Sequence, residues 1–231
     1  MAKSLTQNPE HTVPLVEQQA ELDAYVLAHS DPEPEYLYRL YRDTNVRLLH
    51  GRMASGHLQG RMLKMLVKMV QPKNVIEVGT FSGYSALCIA EGLNDDGHLY
   101  TFEINDEQED FTRPWLENSE HSDKITFIIG DAITMAPDLC AHEHLYFDMA
   151  FIDGDKRTYV DTYEMLLPLM THGAFILADN TLWDGHVTDP AYDKDRQTVG
   201  IRKFNDHVAA DPRVEQVIVP LRDGLTIIRV L

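Results

Sequence analysis

The sequence predicts an α/β protein: a mostly parallel sheet with helices on both faces, an antiparallel last strand and a helical extension at the N-terminus. Three observations carry this. From residue 74 onward, short apolar runs alternate with amphipathic stretches, the signature of βαβ units. Runs such as Met149-Ala150-Phe151-Ile152 and Ala174-Phe175-Ile176-Leu177-Ala178 are apolar at every position, as central strands covered on both faces must be. The chain closes with two apolar runs, 214–219 and 225–230, separated by Pro220-Leu221-Arg222-Asp223-Gly224, a hairpin spacing with an Asp-Gly turn signal.

In chain order, residues 13–29 place Leu15, Val16, Leu22, Tyr25, Val26 and Leu27 among acids and glutamines, an amphipathic helix stopped by the proline-rich segment from Asp31 to Glu35. A second helical pattern follows through Tyr36, Leu37, Leu40 and Tyr41. Residues 51–56, rich in glycine, read as a loop, and helical spacing resumes over 57–71 through Leu58, Met62, Leu66, Met69 and Val70. These helices suit sheet cover, a substrate lid or a dimer face. Strands are expected at 74–78, 98–104, 125–129, 146–152 and 174–178, with helices at 84–92, 106–118, 133–142 and 158–170 between them. The polar stretch 184–195, interrupted by Pro190, reads as a surface loop before a helix at 198–209. We expect one domain over 1–231, with residues 1–72 as helical cover or lid and 73–231 as the core.

Of the 231 residues 44% are apolar, enough for a sizeable core. A formal net charge of −17 argues against nucleic-acid binding, which needs lysine and arginine to neutralise phosphates. Cys88 and Cys140 lack metal-ligand or disulfide-framework spacing and fit a reducing cytosol. With no apolar leader behind Lys3 and no run near the roughly 18 residues of a membrane span, a soluble, cytoplasmic protein without membrane partners is expected.

The chemistry gathers at the ends of the strands, where ligands of open α/β sheets bind. After the first strand comes Gly79-Thr80-Phe81-Ser82-Gly83, a turn whose glycines let backbone approach a ligand and which opens a helix N-terminus. It is Gly-x-x-x-Gly and lacks the dinucleotide fingerprint. Glu103 ends the second strand 26 residues after Glu77, about where an acid taking ribose hydroxyls belongs. Asp131 and Ala132 end the third strand, with small residues suited to flank an adenine. Carboxylates around a glycine turn suit a positively charged nucleoside and repel a pyrophosphate; S-adenosylmethionine, with ribose hydroxyls, an ammonium and a sulfonium, meets that description. Asp153, Asp179 and Asn180 end the fourth and fifth strands and together suggest a hard divalent cation held by oxygens. Taken singly, each Asp reads first as a helix or turn cap.

The segments VIEVGTFSGYSAL, LYTFEIN, GDA, FIDGDKRTY and LADNTLWDG resemble the motifs of the cation-dependent O-methyltransferases that include catechol and caffeoyl-CoA O-methyltransferases. The resemblance runs from about Gly51 to the C-terminus. It implies the Rossmann-like methyltransferase fold, with seven strands and an antiparallel last one, S-adenosylmethionine as co-substrate, and a homodimer. By motif position it implies that Met53 and Ser55 touch the methionine part of the cofactor. Glu77, Gly79, Thr80 and Ser85 would line its amino-acid end, Glu103 its ribose, and Asp131 with Ala132 its adenine. Asp153 and Asp155 would border it too. Asp153, Asp179 and Asn180 match the metal ligands, with Mg²⁺ expected and Mn²⁺ or Ca²⁺ as alternatives.

Lys156 resembles the family's catalytic lysine. The implied acceptor is a small phenol with vicinal hydroxyls, of the catechol, caffeate or flavonoid type. Near neutral pH such a hydroxyl is mostly protonated. The cation, with Asp153 among its ligands, would chelate the two hydroxyls and acidify one, and Lys156 would take the proton, for which it must be neutral. The other reading of Lys156 is an ion pair with Asp155 or Asp161. The position two residues after the first metal ligand, a tryptophan in animal catechol enzymes, is Asp155, so that aromatic gate is not reproduced. Trp183 with Tyr36, Tyr38 or Tyr41 are candidates for an aromatic wall, although aromatics at helical spacing more often belong to the core. Asp184 stands where plant caffeoyl-CoA enzymes carry a substrate-binding asparagine, which weakens the case for a CoA ester. His142, His144 and His186 read as solvent-facing. A nicotinamide-dependent oxidoreductase and a non-catalytic cofactor-binding dimer are the competing readings.

Overall fold

The computed structural model describes residues 15–231, with side chains from Ala20 onward. Residues 13 and 14 of the first expected helix lie outside the described residues, as do the side chains of Leu15 and Val16. The helices are α1 (Leu15–Ala28), α2 (Glu35–Arg47), α3 (Gly56–Val70), α4 (Tyr84–Gly92), α5 (Glu109–Glu117), α6 (Ala132–Glu143), α7 (Tyr159–Leu166) and α8 (Arg196–Ala209). The strands are β1 (Asn74–Val78), β2 (His98–Glu103), β3 (Ile125–Ile129), β4 (Phe147–Ile152), β5 (Met170–Asp179), β6 (Val214–Val219) and β7 (Leu225–Val230). They form one seven-stranded sheet in the order β3-β2-β1-β4-β5-β7-β6. The first five are parallel; β7 runs antiparallel to both β5 and β6, which places the closing hairpin as expected.

Successive residues of each strand point to opposite faces, and each face has its own core. On one face Ile76, Phe102, Ala150, Ile152, Ile176 and Ile228 pack with Ala136 of α6, Tyr159 and Tyr163 of α7, and Ile201 and Phe204 of α8. On the other, Val75, Leu99, Met149, Phe151 and Leu177 pack with α4 and α5, and here Leu37 and Leu40 of α2 and Leu63 and Val67 of α3 complete the layer. Of the three roles open to the N-terminal helices, α2 and α3 thus serve as sheet cover. In α1, by contrast, Leu22, Tyr25 and Leu27 are exposed.

Three expectations need correction. The helix expected over 158–170 stops at Leu166, because Pro168 has no N–H to continue the ladder; a 3₁₀ turn at Leu167–Leu169 leads straight into β5, whose pairing with β4 is irregular between Phe147 and Met149. The glycine-rich stretch at 51–56 contains a 3₁₀ turn, Gly51–Met53, and Gly51 is buried where a Cβ would lie 2.6 Å from Asn45 Cα. The apolar stripe of α3 is also rotated. Gln59, Leu63 and Val67 face inward, while Met62 and Met69 are exposed.

Candidate active site

The carboxyl ends of β1 and β4 touch. Asp153 N donates to Val78 O at 2.9 Å, and a Cβ on Gly79, whose φ is +105°, would come within 2.5 Å of Asp153 O. Only glycine fits that approach. Gly79 N and Thr80 N both donate to Phe102 O, so the turn after β1 is fixed to β2 as well. Gly83, with φ +86°, then starts α4, which carries Ser85.

Glu77 is fully buried inside the sheet, where its Oε2 accepts the Thr101 hydroxyl at 2.5 Å and its Oε1 has no protein partner. Burial pushes its carboxyl up to about 8; hydroxyls of Ser85 and Thr101 pull the other way, and the charges of Asp153 and Glu103 add to the rise. Ser82 Oγ is likewise buried without a protein partner. Glu103 ends β2 as expected, accepting Phe81 N at 2.7 Å and Asn105 N at 2.9 Å, which ties the turn after β1 to the end of β2. Asp131 caps α6 by accepting Ile133 N at 2.9 Å, and Ala132 behind it is buried. Ser55 is buried at the start of α3, whereas Met53 on the preceding turn is 59% exposed.

Asp153, Asp179 and Asn180 stand at the adjoining ends of β4 and β5. Burial raises both carboxyls above the usual carboxylate range, Asp179 to about 6, where the charge of Asp153 contributes next after burial. Asn180 adopts φ +57° and donates its N–H to Asp179 Oδ1 at 2.9 Å. Lys156, 6% exposed, donates to Asp153 Oδ1 at 2.8 Å and to the Tyr159 hydroxyl at 2.7 Å. The Tyr159 proton in turn reaches the carbonyls of Asp179 at 3.1 Å and Ile152 at 3.2 Å, clamping the two strand ends. Gly200 of α8 lets that helix lie against the lysine's turn, since a Cβ there would sit 2.9 Å from Arg157 Cα.

The ion pair read for Lys156 is therefore with Asp153, not with Asp155 or Asp161. Asp155 is exposed, caps the turn after β4 and pairs with Arg157, which holds its carboxyl below the usual range. The Trp183 ring centroid lies 5.9 Å from Lys156 Nζ, which keeps it available as a wall. Tyr36 meets His121 and Tyr41 meets Tyr84, both edge-on, while Tyr38 is exposed. His142 and His144 face solvent, but His186 does not: it is half-buried and stacks on Tyr192 at 3.5 Å. Gln59, Tyr159 and Arg222 are site residues that motif reading passes over. The signal for Gln59 was a polar residue four positions before Leu63 and eight before Val67, on one helix face.

Another grouping of ligand-type side chains, Glu164, His207 and Asp211, lies at the opposite edge of the sheet beside the start of β6. Arg213 bonds both carboxylates there at 2.6 Å and already supplies the countercharge.

A seven-stranded sheet with these acids on its carboxyl edge defines a Rossmann-like methyltransferase, and the chain belongs to the O-methyltransferase family, whose profile matches residues 27–231. Among relatives, it is 37% identical over 204 residues to caffeoyl-CoA O-methyltransferase of Mesembryanthemum crystallinum, covering 85% of this chain and 80% of that protein. It is 39% identical over 189 residues to tricin synthase 1 of Oryza sativa subsp. japonica, covering 78% and 75%. Among solved structures, an O-methyltransferase from Bacillus cereus in complex with SAH has a TM-score of 0.85 at 27% identity, covering 94% of this chain and 100% of that one. The O-methyltransferase TomG from Streptomyces achromogenes, in complex with SAM, has a TM-score of 0.86 at 26% identity, covering 94% and 99%. Family membership sets the nicotinamide reading aside.

Proposed function

We propose that this enzyme moves the methyl group of S-adenosylmethionine to one hydroxyl of a vicinal-diol phenol, of the catechol, caffeate or flavonoid type, with a divalent cation at Asp153, Asp179 and Asn180. The observation that carries the reading is the junction of Lys156, Asp153 and Asp179 at one sheet edge, beside the pocket of Glu77 and Glu103. Two carboxylates and a carboxamide form an all-oxygen donor set of the kind Mg²⁺ takes, and burial raises the carboxyls of the pair. Mn²⁺ and Ca²⁺ take the same donors. For the co-substrate, the orphaned Glu77 Oε1 suits an ammonium and the orphaned Ser82 Oγ a carboxylate. Two of the similar structures carry SAH or SAM, and two relatives are named for phenolic chemistry.

In this reading Met53 and Ser55 border the methionine part, with Glu77, Gly79, Thr80 and Ser85 around its amino-acid end. Glu103 takes the ribose hydroxyls, Asp131 and Ala132 flank the adenine, and Asp155 lies at the rim. The cation would supply Lewis acidity to two adjacent hydroxyls of the acceptor. Asp153, Asp179 and Asn180 hold that ion on two strand ends that Tyr159 keeps in fixed register. Lys156, whose ammonium pairs with Asp153, would first release a proton to solvent and then, as the neutral amine, accept the proton of the hydroxyl nearest the methyl group. That oxygen bonds to the methyl carbon as the carbon–sulfur bond breaks, leaving a methyl ether and S-adenosylhomocysteine. Trp183 flanks the acceptor ring.

We also read residues 1–231 as one domain. The exposed Leu22, Tyr25 and Leu27 of α1 and Tyr38 and Val46 of α2 favour a homodimer through the N-terminal helices. The buried free thiols of Cys88 and Cys140 favour a reducing cytoplasm. Among the described residues no helix is long and apolar enough to cross a membrane.

Calorimetry with S-adenosylmethionine and with NADH, then methylation of catechol with and without chelator, tests the reading. Binding of S-adenosylmethionine alone and activity abolished by chelator are expected. Full activity in excess chelator overturns the metal role, and binding of NADH alone overturns the whole assignment.

A further inference from the structure

Gln59 lies on the inner face of α3 and is 2% exposed. A carboxamide buried this deeply costs stability unless both its ends are bonded. Both are. Its Nε2 donates to Asp179 Oδ2 at 2.7 Å, and its Oε1 accepts from Arg222 Nη1 at 2.6 Å. Arg222 belongs to the β6–β7 turn, holds φ +50°, and donates the same nitrogen to Ser55 O. The neighbouring residue of that turn, Asp223, accepts Leu182 N and Trp183 N on its carbonyl, which anchors the loop leaving Asn180. Three distant segments, α3, the end of β5 and the closing hairpin, therefore meet at the Gln59 carboxamide.

We propose that Gln59 is a positioning residue for the cation, with Arg222 as its support; this deepens the metal reading above and rests on it. A carboxylate's terminal torsion is soft, so Asp179 needs more than its backbone to present an oxygen in one direction. Gln59 on Oδ2 and the Asn180 N–H on Oδ1 fix the carboxylate plane and leave a lone pair on each oxygen for the ion. The choice of a neutral donor is itself informative. An arginine bonded straight to Asp179 would compete with a dication for its charge. Here the guanidinium stands one residue back, polarises the carboxamide and strengthens its N–H, and bonds Gln59 and Ser55 rather than Asp179 itself. Hydrogen-bonding partners of ligating groups set metal affinity in this way in general.

The test is Mn²⁺ binding to the full-length protein, followed by the electron paramagnetic resonance signal of the free ion, for wild type, Gln59→Met, Arg222→Met and the double variant. Gln59→Met should weaken Mn²⁺ by about 10- to 100-fold and leave S-adenosylhomocysteine affinity unchanged. Arg222→Met should weaken Mn²⁺ less, and in the Gln59→Met background it should add nothing, because it acts through Gln59. Should Gln59→Met fail to fold, Arg222→Met on the turn still decides: a loss supports the relay and unchanged affinity overturns it. Wild-type affinity in a folded Gln59→Met protein, or fully additive losses, overturns the inference while the metal reading stands. A wild-type protein that takes up no Mn²⁺ overturns both.

Discussion

Lys156 Nζ lies 2.8 Å from Asp153 Oδ1, an ion pair between the proposed base and a proposed metal ligand only three residues away. Both groups are largely shielded from water, so the pair holds the lysine in place and neutralises one of two crowded acids. Lys156→Ala should reduce turnover on a catechol about 10²-fold or more, the usual scale of a lost general base. Affinity for S-adenosylmethionine should stay the same, because the lysine touches the acid side of the site. Single-turnover kinetics beside calorimetry separates the two quantities; undiminished turnover removes Lys156 from the mechanism.

Tyr159 joins three partners, the carbonyls of Ile152 and Asp179 at two strand ends and Lys156 in the turn after β4. Its hydroxyl is buried, so Tyr159→Phe leaves those groups short of a partner without opening a cavity. A loss of about 1–3 kcal/mol in urea-unfolding stability is expected. Turnover should fall with it, since the lysine keeps only its bond to Asp153. A variant as stable and as active as wild type would show that the clamp is idle.

Glu77 links stability to pH. Its carboxyl is raised from 4.5 to about 8 in the folded chain, chiefly by burial. Between those values the folded chain keeps a proton that the unfolded chain has released, so the stability of the cofactor-free protein falls as pH rises through this window. Asp179, raised from 3.8 to about 6, acts with the same sign at lower pH. Asp153 is raised in the same direction, chiefly by burial, and adds to the fall. Urea midpoints measured between about pH 6 and 8 should decline for wild type and decline less steeply for Glu77→Gln. An equal decline in both would assign the effect to another group.

Much of this architecture is readable from the residues, for identifiable reasons. β1, β3 and the closing hairpin fall at their expected bounds because central strands are apolar on both faces and are punctuated by Gly, Asp and Pro. The acids follow the strands directly in sequence, so locating a strand end also locates Glu103, Asp131, Asp153 and Asp179. The inner face of α3 was not legible in the same way. Leucines and methionines surround that helix, two stripes fit its periodicity, and burial by the sheet selects the one containing Gln59. The partners of Gln59 lie 120 and 163 residues away, which no local pattern encodes. Asp155 shows a different limit: the local motif points to the cofactor, and its pairing with Arg157 two residues on is visible only in the folded chain.

Asp184 and Asp223 bear on which acceptor is used. Asp223 is raised above the usual carboxylate range by burial first and then by Asp184, to which it is hydrogen-bonded, and it also feels Asp179. The exposed Asp184, next to Trp183 on the loop after Asn180, adds a carboxylate beside the proposed acceptor wall, on a chain of formal net charge −17. A CoA ester brings several phosphate charges to the same place, whereas catechol brings none. Wild type should favour catechol over caffeoyl-CoA in kcat/KM, and added salt should narrow the gap by screening the exposed Asp184. Asp184→Asn should raise kcat/KM for caffeoyl-CoA several-fold, on the order of the effect of one rim charge on a steered encounter, and leave catechol nearly unaffected. A ratio of the two substrates that moves with neither salt nor Asp184→Asn would mean that the acceptor's charged tail binds elsewhere.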